Sequence, residues 1–317
     1  MKENLTFDFF KLNKSNLMHA LNPSIREFYA NSQEKVSIFC NRYQIACSHK
    51  EIIHCTLKSN GKLLSSCILV STVFALENVN IKGFFLTQVV TEKGHRQRGL
   101  LRILLAKVEE LCQSRDVSLI FVIARRAVGD IYWKLGFQGF SHFPRFVNEK
   151  RQQLQDKKGL RRANVDDLWS LQNAHINSRH LSNLRILRTD NDWRDLILLQ
   201  SSSNNIVWID VENHVNNYAI YQNSTLIEAS SNLDPTLNRE FFLNLEKSSQ
   251  EVLLDSNHPL NSYLSNKDWH YSERYEPREG HLLKIVGEDN SFLSSFSHRD
   301  IRQNIELRLE ISPVDQW

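Results

Sequence analysis

Lys93, His95, Arg96, Arg98 and Arg102 crowd the stretch "TEKGHRQRGLLRILL", residues 91–105, with Gly99 in their midst. An apolar β-rich run, "GFFLTQVV" (83–90), leads into it and an apolar helical pattern leads out. At a helix N-terminus the first backbone N–H groups lack intrahelical acceptors and carry partial positive charge. Basic side chains at that end disfavour the helix taken alone, and an anion seated there reverses the sign. A glycine lets the anion approach the backbone. "HRQRGLL" therefore has the chemistry of a phosphate cradle; the plain alternative is a solvated basic loop with a helix-initiating glycine. No GxxxxGK[ST] and no GxGxxG occurs, which excludes a P-loop and a dinucleotide-binding turn.

A second residue with chemical potential is Tyr132, in "IYWKLGF" (131–137). A phenol with a pKa of about 10 is protonated at neutral pH and can act as a general acid. The alternative is an aromatic core residue like its neighbours Trp133 and Phe137.

The elements that must position these groups follow from pattern. "SIREFYANSQEKVSIFCNRY" (24–43) reads as helical. "EIIHCTLKSNGKLLSSCILVSTV" (51–73) reads as two strands joined by an Asn-Gly turn. In "GLLRILLAKVEELCQSR" (99–115) Leu101, Leu104, Leu105, Val108, Leu111 and Cys112 fall on one helical face. "VSLIFVIA" (117–124) has the continuous apolar character of a strand buried on both faces. A short helix ending near Gly136 and a final strand follow. The strand–helix–strand unit in the middle implies parallel neighbours and a right-handed crossover.

The polar segment 151–159 reads as a linker. From residue 160 the element order repeats: a helix capped by Asn164, the strands "NIVWIDVE", "NYAIYQ" and "TLIEASS", the helix "NREFFLNLEKS", the strand "EVLLD", the short helix "PLNSYLSNKDW" and a last strand "HLLKIV". The tail from 288 lies outside the pattern. The expected division is 1–150, a linker 151–159, 160–287 and a tail 288–317, with an α/β class and mixed sheets.

At 317 residues the chain has room for two domains of ordinary size, each able to bury its own core without disulfide or metal. A net charge of +3 is too small for a dedicated nucleic-acid binder. No apolar run reaches the length of a membrane span. Five cysteines, an odd number confined to the first 112 residues and without a CxxC pair, read as reduced thiols of a cytoplasmic protein.

The order of "VVTEKGHRQRGLL", the apolar strand "VSLIFVIA" and "IYWKLGF" resembles the acetyl-CoA site of the GNAT superfamily of N-acetyltransferases, over about residues 25–147. The whole chain resembles two GNAT-like domains in tandem. In that family a valine-rich strand precedes an Arg/Gln-x-x-Gly-x-Gly/Ala loop and a helix. The resemblance implies that backbone N–H groups of Arg96, Gln97, Arg98, Gly99, Leu100 and Leu101 bind the CoA pyrophosphate. It implies that Val89, Val90 and Thr91 pair with the pantetheine arm, on a strand opened by a bulge. It casts Tyr132 as the general acid that protonates the departing thiolate. Leu101 departs from the pattern, which has glycine or alanine there, and its aim decides whether it crowds the phosphates.

The implied reaction is acetyl transfer from acetyl-CoA, as cosubstrate and without a metal, to the amine of a small molecule or peptide. A non-catalytic CoA-binding or interaction module is the alternative. The general base stays open: "GFFLTQ" holds no carboxylate, and Glu92, His95, His142, a water relay or an already neutral amine all remain. In the second half the loop position reads "NLDPTLNREFF", with Asp234 where positive charge is expected. That half therefore resembles a GNAT fold lacking a CoA site, packed beside the first. By analogy with tandem relatives the C-terminal carboxylate at Trp317 is a candidate for the site; the plain alternative, which nothing in the sequence displaces, is a loose tail.

Overall fold

In the computed structural model, residues 4–29, 32–76, 79–125, 129–139, 145–148, 159–178, 184–200, 205–210, 217–231, 235–254, 258–272, 279–286 and 309–310 are described. Asp234, His142, Trp317 and residues 151–158 of the expected linker lie outside them.

Strand β1 (Leu5–Lys11) is followed by helix α1 (Leu17–Ser24), a π-helical turn over Ile25–Tyr29 and helix α2 (Gln33–Ala46). Then come β2 (Ile52–Ser59), β3 (Lys62–Leu76) and β4 (Val79–Thr91). The β2–β3 turn is the expected Asn-Gly one: Asn60 and Gly61 take φ of 50° and 77°, whose twist suits a two-residue hairpin. Helix α3 (Leu100–Ser114) crosses to β5 (Leu119–Arg125), which lies parallel to β4. Helix α4 (Gly129–Lys134), β6 (Gln138–Gly139) and β7 (Arg145–Val147) complete the first half. The second half runs β8 (Leu160–Arg162), α5 (Leu168–Asn177), β9 (Leu184–Ile186), α6 (Asp190–Leu198), β10 (Asn205–Asp210), β11 (Tyr218–Gln222), β12 (Thr225–Ala229), α7 (Pro235–Ser248), β13 (Glu251–Leu253), α8 (Pro259–Ser265), β14 (His270–Ser272), β15 (Glu279–Ile285) and β16 (Leu309–Glu310).

Two mixed sheets result. The first runs β1-β2-β3-β4-β5-β15-β6, with β9 on the far end of β3 and β16 beside β9; the second runs β14-β7-β13-β12-β11-β10-β8. One expectation is overturned here. "HLLKIV", read as the last strand of the second half, is β15, and it inserts antiparallel between β5 and β6 of the first sheet. In return β7, from the first half, pairs with β13 and β14 in the second sheet. The physical reason is edge cover. β5 needs a partner along its whole outer edge, and β6, two residues long, cannot supply one. β15 pairs with β5 over seven residues and buries Leu282 and Leu283 there. The described part of the tail, β16, pairs with β9 rather than standing apart.

The first sheet is covered on both faces. Helices α1 and α2 pack on one, through Leu17, Leu21, Phe39 and Tyr43 against Ile52, Ile68, Phe85 and Phe121. Helix α3 and Tyr132 of α4 pack on the other, through Leu104, Leu105 and Val108 against Ile53, Leu86, Ile120 and Val122. Burial of each such side chain contributes about 1.5–3 kcal/mol.

Gly83, in the middle of β4, is required by close approach. A Cβ there would overlap the ring of Phe74, with Cδ2 at 2.8 Å. Gly83→Ala is expected to cost about 1–3 kcal/mol, read as a lower urea midpoint.

His54 on β2 is 4% exposed and stacks edge-on to Phe10. Burial above all, then the charges of His19 and Lys58, lowers its pKa from 6.5 to about 4. The native state thus keeps His54 neutral where the unfolded chain takes up a proton. Its contribution is fully present above pH 6.5 and is lost as pH falls towards 4, at up to about 1.4 kcal/mol per pH unit. His54→Phe is expected to lose less stability than the wild type between pH 7 and pH 4.5 in urea titrations.

Candidate functional site

The site is built where β4 ends. Against β3, Ser66 faces Val90 and Ile68 faces Thr87, so Gln88 and Val89 together oppose Cys67. This is a β-bulge, and Gln88 takes a left-handed φ of 51° in it. On the other side β4 pairs with β5 only from Gly83 to Leu86. From Thr87 onward the two parallel strands part, and a slot opens between them.

Val89 packs towards the α3 face, and Val90 is buried with its carbonyl accepting from Ser65 Oγ at 2.9 Å. Thr91 ends the strand. A short 3-10 turn over Lys93–His95 follows, then Arg96, Gln97 with φ of 64°, Arg98 and Gly99 with φ of 73°. Gly99 is the residue before α3, and no side chain caps that helix. A Cβ on Gly99 would meet nothing within 4 Å, so its glycine serves the backbone conformation. The uncapped first turn of a 15-residue helix, with no acidic residue in it, faces solvent at the mouth of the slot. That arrangement favours an anion.

Arg96 is turned back on the loop. Its Nε donates to the Thr91 carbonyl at 3.0 Å, and its Nη2 lies 2.7 Å from Glu27 of the π-helical turn. Arg26 of the same turn meets Glu92 at 2.8 Å. Partly exposed pairs of this kind contribute little stability; crossed as they are, they set the loop's shape. Glu92, weighed as a base from sequence, is thus engaged by a guanidinium. Leu100 is buried, and the side chain of Leu101 packs against the core beneath α3. The residue that departs from the family pattern is therefore aimed inward.

Tyr132 lies on the same face of the sheet, 6% exposed and edge-on to Phe137 at 5.4 Å. Burial, and then the neighbouring Cys67 thiol, hold its phenol pKa well above the usual value. It is an acid that stays protonated. Cys67 opposes Cys55 across β2–β3, and a hydrogen bond with that thiol, followed by burial, holds its pKa well above the usual thiol value. It is a packing group. Lys284, carried in by β15, donates to the Leu135 carbonyl at 2.8 Å and meets Glu109 of α3 at 2.6 Å. A side chain from the second half thus closes the end of the helix that bears Tyr132. No local signal in the sequence could have found it.

The profile of the "Acetyltransferase (GNAT) domain" family matches residues 27–139. That stretch holds the bulge, the loop, α3 and Tyr132. Residues 27–139 form a GNAT domain. No curated protein matches the chain in sequence. Among solved structures, a conserved protein from Enterococcus faecalis V583 described as "Probable N-Acyltransferase" is similar at 14% identity and a TM-score of 0.66, over 89% of this chain and 73% of that one. A GCN5-related N-acetyltransferase from Anabaena variabilis shows 13% identity and a TM-score of 0.65, over 89% and 73%. The Saccharomyces cerevisiae N-myristoyltransferase, solved with bound MyristoylCoA, shows 9% identity and a TM-score of 0.51, over 88% and 82%. At these identities the likeness is one of fold, and it extends well beyond the GNAT domain into the second half.

The second half repeats the geometry of the GNAT domain's slot. β12 has a register shift against β11 between Ile220 and Tyr221, and it pairs parallel to β13 only at Thr225 and Leu226. Here, however, the protein fills the opening. His258 Nε2 donates to the Ala229 carbonyl at 3.1 Å, and the Ser231 N–H donates to Ser178 Oγ at 3.0 Å. Asn238 reaches Ser231 Oγ at 3.3 Å. The Ala229 carbonyl and the Ser231 N–H of the second half, at the place corresponding to where the GNAT domain's strands part, are thus satisfied internally.

A cavity of about 570 Å³ opens at the other end of the first sheet, between His49, Lys50, Lys82, Arg115, Thr189 and Asp192. It touches neither the loop nor Tyr132. Its cations are engaged: Lys50 by Asp192 and Arg115 by Glu51, each at 2.5 Å, and Lys82 by Asp116 at 3.5 Å.

Proposed function

We propose that this protein is an N-acyltransferase that transfers the acetyl group of acetyl-CoA to a primary amine of a small molecule or peptide. The observation that carries this reading is the continuity of the bulged, splayed end of β4 with the uncapped N-terminus of α3. In this reading the N–H groups of Arg96, Gln97, Arg98, Gly99, Leu100 and Leu101 hold the pyrophosphate. Val89, Val90 and Thr91 pair with the pantetheine in the slot.

The amine nitrogen attacks the thioester carbonyl, and a tetrahedral oxyanion forms within reach of strand N–H groups. The N–C bond is made in that step, and the C–S bond breaks when the intermediate collapses and the carbonyl is restored. Tyr132 gives its proton to the leaving thiolate and regains one from the proton the nitrogen loses. Products are the N-acetyl amine and CoA thiol. The inward aim of Leu101 supports an unobstructed phosphate seat.

The second half is proposed as a GNAT-like fold without a cofactor slot, its opening occupied by His258 and Ser178. The order of the two folds along the chain is proposed as 1–150 and 160–287, each completed by a strand from the other. The described cysteines stand free, which supports a reducing, cytoplasmic setting. Among the described residues no helix is long and apolar enough to cross a membrane.

The test is a thermal shift with acetyl-CoA, followed by thiol release with a panel of amines. A raised melting midpoint and amine-dependent thiol release are expected. Binding without release against the whole panel would leave the non-catalytic CoA-binding module. No binding at all would remove the reading.

A further inference from the structure

Helix α4 carries Tyr132 and is only six residues long. A helix this short has no cooperative stability of its own, so the pose of Tyr132 is set by what grips the helix from outside. Its C-terminal turn closes on itself. The N–H groups of Leu135 and Phe137 donate to the Tyr132 carbonyl at 2.9 and 3.1 Å, and the Gly136 N–H donates to the Trp133 carbonyl at 3.0 Å. Gly136 takes the left-handed φ of 86° that such a turn needs. The Leu135 carbonyl accepts instead from Lys284 Nζ of β15, at 2.8 Å. The lysine lies across the turn: a Cβ on Gly136 would stand 3.5 Å from its Cε, and its Nζ is 5.9 Å from the centre of the Phe137 ring. That ring is the edge-on neighbour of Tyr132.

The same ammonium meets Glu109 of α3 at 2.6 Å. Leu282 and Val286, which share a side of β15 with Lys284, lie in the core layer under α3. Lys284 therefore ties two helices together: α3, whose N-terminus offers the phosphate seat, and α4, which carries the phenol. A cation at the C-terminal end of α4 also suits the partial negative charge there. Resting on the acyltransferase reading, we propose that Lys284 is a positioning residue for the transfer: it fixes α4 against α3 and so holds the Tyr132 phenol where the leaving sulfur needs its proton. The strand that the second half lends to the first sheet thereby becomes a working part of the reaction.

The contribution is one of geometry. The Lys284 and Glu109 side chains are 19% and 30% exposed, so removing one leaves the other in reach of water and the fold tolerates the change. Nor does the lysine tune the acid. Burial and then the Cys67 thiol keep the phenol protonated, with or without an ammonium at the end of α4. What the lysine controls is place. Proton transfer needs donor and acceptor within about 2.6–3.2 Å, and a misplacement of about 1 Å costs on the order of a hundredfold in rate. The phosphate seat, at the far end of α3, and the splayed end of β4 do not touch Lys284, so acetyl-CoA should bind as before when the lysine is lost.

The experiment measures thiol release from acetyl-CoA, with the amine that the wild type turns over best, together with the acetyl-CoA dissociation constant. It uses the full chain carrying Lys284→Met, Lys284→Arg, Tyr132→Phe, or Lys284→Met and Tyr132→Phe together. Lys284→Met is expected to lower kcat about ten- to a hundredfold. The acceptor KM and the acetyl-CoA dissociation constant should stay within about twofold of the wild type. Lys284→Arg, which can still donate to a carbonyl and a carboxylate, should recover most of the turnover. On the Tyr132→Phe background, Lys284→Met should add less than about a threefold loss, because the proton it would place is already gone. Glu109→Ala, which frees α3 and leaves the Leu135 bond, should show a smaller loss of the same kind. It takes the place of Lys284→Met in the double variant if that chain fails to fold. An unchanged kcat in folded Lys284→Met overturns the proposal. So does an equal loss on the Tyr132→Phe background, or a loss that Lys284→Arg does not relieve. If the wild type turns over and Tyr132→Phe is fully active, the acyltransferase reading stands and this proposal alone falls. Absence of acetyl-CoA binding in the wild type removes the reading itself and the role of Lys284 with it.

Discussion

Tyr132→Phe is expected to lower turnover by about a hundredfold or more while leaving acetyl-CoA affinity and the melting midpoint close to those of the wild type. The reasoning is that the substitution removes one oxygen and little else. The ring stays edge-on to Phe137 and within the apolar layer under α3. What disappears is the proton offered to the leaving sulfur. The sign of the pH effect follows from burial. Because the phenol's pKa lies well above its usual value of 10, Tyr132 remains an acid throughout the range in which the enzyme is folded. The wild type should then show no alkaline fall in turnover near pH 10 that belongs to this residue. Stopped-flow or steady-state thiol release reads the first effect and a pH series the second. A fully active Tyr132→Phe would take Tyr132 out of the mechanism and return it to packing.

The largest effect on stability is expected from Glu228→Ala. Glu228 and Arg188 are 5% and 3% exposed and form a two-pronged ion pair, with Nη2 to Oε2 at 2.7 Å. Tyr218 adds its hydroxyl to the same carboxylate at 2.6 Å, and His175 stands 3.1 Å from that hydroxyl. The guanidinium lies over the Trp193 ring at 4.8 Å. Removing the carboxylate takes the counter-charge from a buried guanidinium and the acceptor from a buried phenol. Breaking one side of such a pair costs about 3–5 kcal/mol. The urea midpoint should fall accordingly, with the slope of the transition preserved. Replacing both partners by apolar residues of similar size, Arg188→Met with Glu228→Leu, should recover most of the loss, because neither charge then needs solvation. A Glu228→Ala variant within about 1 kcal/mol of the wild type would show that water reaches this network.

Local chemistry was legible in the sequence wherever it depended on near neighbours in the chain. Asn60 and Gly61 announced a tight hairpin and form one. The apolar spacing of Leu104, Leu105, Val108 and Leu111 announced the buried face of α3. Asn164 was read as a cap, and it forms a capping box with Asp167. The basic loop around Gly99 was found because helix initiation, glycine freedom and positive charge coincide within a few residues.

What the sequence could not show depends on which distant segment supplies a partner. "HLLKIV" has the same pattern whichever sheet edge it joins, and only the unfilled edge of β5 draws it into the first sheet. With it comes Lys284, which supports the helix of Tyr132 from 175 positions away from Glu109 in sequence. The aim of Leu101 was likewise undecided in the sequence, since one turn of helix offers it either the loop or the core. Packing under α3 settles it inward. The filling of the second slot by His258 and Ser178 has no motif at all, because it joins residues brought together only by folding. Patterns in a chain record periodicity and turn chemistry, which act over a few residues. Sheet-edge completion, and the satisfaction of buried polar atoms, belong to the assembled molecule, where the loss of water makes each such pairing matter.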